Sequence, residues 1–146
     1  HRSDVSVAIV KPTSHALERD GAMCYVLATD DSPSSRLAFA LLVDKLADAK
    51  DTLHVYANRE GAASMLEKYG DECAKRGLKC ELHASHDHTT SVSDDILAHC
   101  VKSEADVLLV GTNGHSGEHI LGSVSSRCAQ SARCTVIVVK DPRVSD

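Results

Sequence analysis

Val107 to Ser126 reads VLLVGTNGHSGEHILGSVSS, and the fold is decided there. Val107 to Val110 is an apolar run too short for a helix and followed at once by turn chemistry, as a buried parallel strand reads. Gly111 and Gly114 come next. Gly122-Ser123 then opens a helical pattern in which Val124, Cys128, Ala129 and Ala132 share one face. The order is strand, glycine-rich loop, helix start. Glycine lets backbone approach a ligand closely, because no Cβ intervenes. A helix start carries unpaired N–H groups and the positive end of the helix dipole. Together they make an anion site suited to phosphate. A plain βα turn accounts for the same glycines until the rest of the chain is read.

Working outward, Met23 to Thr29 (MCYVLAT) is a near-continuous apolar strand that ends in Asp30-Asp31-Ser32-Pro33. Ser32 can cap a helix and Pro33 suits its first position. Leu37, Leu41 and Val43 to Leu46 continue a helical face to about Ala49. Thr52 to Ala57 is the second strand, with His54 inside it. Ala62, Leu66, Tyr69 and Cys73 recur at helical steps, and Gly77 ends that helix. Leu78 to Ala84 alternates, with Cys80, Leu82 and Ala84 on one face and the charges Lys79 and Glu81 on the other, as an edge strand does. Ser91 or Ser93 caps a third helix, whose expected buried stripe is Ile96/Cys100 with Leu97/Val101. Thr135 to Val139 is the fifth strand. Residues 1–20 read as a mobile N-terminal extension, with a short strand at Val5 to Val10 as the alternative, and residues 21–146 as one domain.

The pattern βαβαβαβαβ predicts an α/β fold: an open, doubly wound, five-stranded parallel sheet with helices on both faces. Ligands of such sheets bind outside the carboxyl ends of the strands, where strand order reverses. An order 3-2-1-4-5 sets the first strand beside the fourth. Asp30 and Gly111 would then face each other across one crevice, which turns the reading from a plain turn to a nucleotide site.

Composition bounds the alternatives. The chain has 146 residues, a net charge of −5 and no run of like charge, which argues against nucleic acid and anionic membranes as partners. One Phe, three Tyr and no Trp leave little for base stacking. No apolar stretch reaches membrane-spanning length. The six cysteines show no C-x-x-C spacing and mostly sit in apolar patterns, as buried thiols do, so a reduced, cytoplasmic protein is expected.

From Met23 to Lys140 the residues resemble the universal stress protein family. The motifs are Gly111-x2-Gly114-x7-Gly122-Ser123, Thr29-Asp30-x-Ser32, Leu53-His54-Val55 and the closing Cys134-Thr-Val-Ile-Val-Val-Lys140. The family spaces its second and third glycines by nine residues where this chain has seven, so the loop should cover the outer phosphates less. The resemblance implies that Ala28, Thr29, Asp30 and Val55 line an adenosine moiety. It implies that Gly111, Gly114, Gly122, Ser123, Val124 and Ser125 hold ribose and phosphates. The implied ligand is ATP or AMP, with Mg²⁺ against Asp30, in a regulatory domain that acts in stress response and not as an enzyme.

Two further expectations concern partners. Val136 to Val139 would be an apolar edge without charge, which suggests pairing with a second copy into a homodimer. A nucleotide-free dimeric interaction module is the alternative function. His83, His86 and His88 cluster near Asp87, and a metal site there is conceivable, but the spacing reads more simply as a solvated loop.

Overall fold

The computed structural model describes residues 5–9, 20–86, 89–112 and 123–141. Six strands, β1 (Val5–Ile9), β2 (Cys24–Ala28), β3 (Thr52–Asn58), β4 (Lys79–Ser85), β5 (Val107–Thr112) and β6 (Thr135–Lys140), form one sheet. Its order is β1-β6-β5-β2-β3-β4. Strands β2 to β6 are parallel and stand in the expected 3-2-1-4-5 arrangement. Four helices cover them: α1 (Pro33–Leu41), α2 (Ala62–Lys75), α3 (Val92–Ser103) and α4 (Ser123–Ser131). Ser32 caps α1 by accepting from the Ser35 N–H, with Pro33 in the first turn, and Ser91 caps α3 by accepting from the Asp94 N–H. Helix α1 runs on into a π-helical turn at Leu42–Leu46 before Ala47 turns extended.

Strand alternation sorts the core into two layers. Leu27, Leu53, Val55 and Leu109 face α1 and α2, where they meet Ala38, Leu42, Leu66 and Tyr69. Val26, Tyr56, Leu108, Val110 and Val136 face α3 and α4, where they meet Ile96, Cys100, Cys128 and Ala129. Burying both faces is why these strands read as unbroken apolar runs. Two buried carboxylates hold the amino end of β2. The Cys24 N–H donates to Asp106 Oδ2 at 2.8 Å and the Met23 N–H to Asp51 Oδ1 at 2.7 Å.

The N-terminal segment corrects two expectations. Val5–Ile9 is part of the sheet, antiparallel to β6, with Val5 opposite Val139 and Ile9 opposite Val136. That stretch is therefore no separate extension. The edge Val136 to Val139 is likewise not open: the chain's own β1 satisfies the ladder that a second copy was expected to fill. A homodimer through that strand would have to displace β1.

Smaller corrections fall at the periphery. Strand β4 is the other edge, as its charges suggest, but its face is less buried than alternation implies. Leu82 is 40% exposed and rests on α2, where a Cβ at Gly70 would come within 3.1 Å of it. On α3, Ile96 and Cys100 are buried and Leu97 packs against them half-buried, while Val101 is 68% exposed, so of the expected stripe only Val101 lies outside. Among the described residues no helix is long and apolar enough to cross a membrane.

None of the six cysteines is in a disulfide; five are buried and Cys80 is half-buried. A thiol reagent added to native protein should therefore modify Cys80 first and reach the other five only on denaturation. Rapid native labelling of Cys73 or Cys128, read by peptide mass spectrometry, would contradict this packing.

Candidate functional site

Ala28 pairs with Val110, so the carboxyl ends of β2 and β5 lie side by side. At this pair the sheet changes direction: β3 and β4 extend one way, β6 and β1 the other. The chain leaving β2 and the chain leaving β5 thus diverge and leave a cleft. Among the described residues it encloses about 120 Å³ and is bounded by Ala28, Thr29, Asp30, Ser35, Tyr56 and Gly111, with Val124 of α4 among the apolar walls.

A compact polar network sets the turn after β2. The Tyr69 hydroxyl donates to Asp31 Oδ1 at 2.9 Å, so its other contact, 2.8 Å from Thr29 Oγ1, is one in which Thr29 donates. Thr29 Oγ1 in turn accepts from the Asp31 N–H at 2.9 Å. Lys68 Nζ pairs with Asp31 Oδ2 at 2.8 Å. These bonds hold Asp31 at φ +66°, a left-handed conformation that non-glycine residues adopt only when neighbours enforce it. Burial opposes ionisation of Asp31, but the bonds from Lys68 and Tyr69 outweigh it and hold the carboxyl below its ordinary value. Burial, with the Asp31 carboxylate beside it, pushes the Tyr69 hydroxyl up to about 12.

The inverted turn presents Asp30 at the cleft. Its Oδ1 accepts from the Ser32 N–H at 3.0 Å and the Ser35 hydroxyl at 2.7 Å. Burial again opposes ionisation, and these bonds outweigh it, so Asp30 is an anion at neutral pH. Arg59, just beyond β3, donates to the Asp30 carbonyl at 3.1 Å and brings a guanidinium to the same rim.

Gly111 has a role different from the one its sequence context suggests. A Cβ there would stand 2.6 Å from the Ser35 backbone nitrogen and 2.7 Å from the Ser34 carbonyl carbon. The missing side chain admits the first turn of α1, not a ligand. The helix sits directly on β5, and that contact places Ser35 and Asp30 over the strand end.

The structure brings together Ala28, Thr29, Asp30, Gly111 and Val124 of the predicted site. It does not bring Val55, which is fully buried on the opposite layer with Leu27 and Leu53. Its neighbour Tyr56 lines the cleft instead, because successive strand residues point to opposite faces. Ser123 opens α4 as expected and is exposed, while Ser125 is buried. Gly114 and Gly122 lie outside the described residues. Ser35, Tyr56 and Arg59 were missed; strand alternation could have found Tyr56, and the run Ser32-Pro33-Ser34-Ser35 at a helix start could have found Ser35. A larger groove of about 380 Å³ lies between α3 and α4 at the amino ends of β5 and β6, lined by Leu97, Cys100 and Cys134 among others. It is on the wrong end of the sheet for a ligand of this fold, so the smaller cleft is the better candidate.

Sheet order, crossover helices and a cleft at the reversal point define a doubly wound α/β domain. Residues 25–140 match the Universal stress protein family, and the chain belongs to that family. A curated universal stress protein of Methanocaldococcus jannaschii is 32% identical over 88 residues, 56% of this chain and 52% of that protein. The match thus spans about half the length of that relative. A universal stress protein of Archaeoglobus fulgidus solved in complex with dAMP is similar in fold, with a TM-score of 0.65 at 19% identity over 81% of this chain and 98% of that one. A universal stress protein solved in complex with cAMP gives 0.59 at 22% identity over 82% of this chain and 97% of that one.

Replacing Gly111 with alanine should push α1 off β5 and cost about 1–3 kcal/mol, the scale of core overpacking. Urea denaturation measures it, and unchanged stability would mean that the close contact is not made.

Proposed function

We propose that this chain is an adenine-nucleotide-binding regulatory domain that acts in stress response by changing what it presents when occupied, not by turnover. The observation that carries the reading is the convergence of Asp30, Gly111 and Val124 on one cleft at the reversal point of the sheet. The complexes of two structural relatives with dAMP and with cAMP support an adenine nucleotide as the ligand class. In this reading the nucleoside rests against Ala28, Thr29 and Asp30, with Tyr56 in the place first given to Val55. The phosphates meet the start of α4 at Ser123, Val124 and Ser125, where backbone donors and the helix dipole favour an anion, and Gly114 and Gly122 belong to the loop leading there.

Asp30 fixes the cation requirement. An ionised carboxylate at the cleft repels a triphosphate unless a cation intervenes. ATP should therefore gain more from Mg²⁺ than AMP does. A dimer through Val136 to Val139 is not part of this reading, because β1 occupies that edge.

Calorimetric titration of ATP and AMP, each with and without Mg²⁺, tests the proposal. Val124→Glu should weaken binding at least about tenfold by setting a like charge at the cleft. Ser123→Ala should cost only ~1 kcal/mol, the scale of one cap or hydrogen bond. No heat and no thermal shift at millimolar nucleotide would leave the nucleotide-free interaction module as the function.

A further inference from the structure

The sequence grouped His83 with His86 and His88 and treated His54 as an isolated strand residue. The sheet regroups them. Strands β3 and β4 run parallel in a register that sets His54 opposite Glu81 and Tyr56 opposite His83. Side chains at alternate positions share a face, so His54, Glu81 and His83 all project toward α3. His54 Nδ1 stands 3.0 Å from His83 Nε2. Glu81 Oε1 lies 3.9 Å from each of these nitrogens. His99 of α3 completes the wall, its ring centroid 5.1 Å from that of His83. The five residues His54, Glu81, His83, His99 and Lys102 border a cleft of about 230 Å³ with Tyr56 at its base.

We propose that His54, Glu81 and His83 form a binding site for a divalent transition-metal ion of the Zn²⁺ class. Two imidazoles and one carboxylate on one face are a donor set of that class, with a fourth position open to the cleft. The spacing fits. Ligand atoms about 2.0–2.1 Å from a tetrahedral ion stand about 3.3 Å apart. The two nitrogens are already within that range, and the carboxylate must close by only about 0.6 Å. It can do so, because the Glu81 side chain is 62% exposed while that of His54 is 14% exposed and held in the sheet. His99, across the cleft, can donate to, or complete, the coordination shell. Among the described residues Lys102 is the one lysine or arginine at the border; its long side chain can turn to solvent. Two nitrogen donors among three disfavour Mg²⁺ and Ca²⁺, which seek all-oxygen shells.

The test uses the untagged, nucleotide-free full chain titrated with ZnCl₂ by calorimetry, with CoCl₂ as a spectroscopic probe. The expected result is one equivalent bound, undisturbed by excess MgCl₂, and a cobalt spectrum without a thiolate charge-transfer band. Glu81→Gln, at an exposed position that should not disturb folding, and His83→Gln should each weaken binding, His83→Gln at least about 100-fold. Circular dichroism confirms that both variants are folded. Zinc binding that survives both substitutions, a thiolate band that assigns the ion to cysteine, displacement by MgCl₂, or no binding at micromolar metal would overturn the proposal.

Discussion

The close approach of α1 to β5 at Gly111 is the constraint on which the rest of the site depends. Ser34 and Ser35 lie within van der Waals reach of a backbone that carries no side chain. Only because the first turn of α1 can sink onto β5 do Ser35 and Asp30 reach the strand ends. The capping serine Ser32, the left-handed Asp31 and the Thr29–Tyr69–Asp31 network all serve that placement. Each fixes one bend of the four-residue path, 29–32, from β2 into α1. Gly111 makes room for the helix that builds the cleft.

Much of this was legible in the sequence, for a physical reason. Parallel strands buried on both faces must be continuously apolar, so MCYVLAT, VLLV and TVIVV stood out without help. Capping chemistry at Ser32-Pro33 and Ser91 marked helix starts, and the crossover rule supplied the order. What escaped detection depends on contacts between distant segments. Val5 to Val10 reads either as a short strand or as part of an extension, and only the pairing of Val5–Ile9 with β6, more than a hundred residues away, decides between them. The layer taken by Val55 follows from how the sheet packs, and a family motif names the position but not the face. Val101 continues the helical periodicity of Leu97 yet stays in solvent, and periodicity alone does not say where the buried stripe of α3 ends.

The histidines make the same point from the other direction. His54 and His83 are 29 residues apart and meet only through the register of β3 and β4. Chain proximity suggested His86 and His88 as partners, of which His88 lies outside the described residues; strand register sets His83 beside Glu81 and His54. Tyr56 lies beside both the cleft at the reversal point of the sheet and the histidine cleft, with its hydroxyl bonded to Asp95 in the first turn of α3. The two candidate sites therefore share one side chain and one face of the sheet, and α3 is common to both. The opposite layer, under α1 and α2, is an apolar core whose Tyr69 holds the turn after β2 through its hydroxyl.

The most direct test of the account is the location of the ligand. Adenine nucleotide titrated with Mg²⁺ into isotope-labelled protein, followed by amide chemical shifts, reports it residue by residue. The account predicts that the amides of Asp30, Gly111 and Val124 move first and together, at the reversal point of the sheet. Shifts confined to the groove between α3 and α4, or no shifts at millimolar nucleotide, would contradict it.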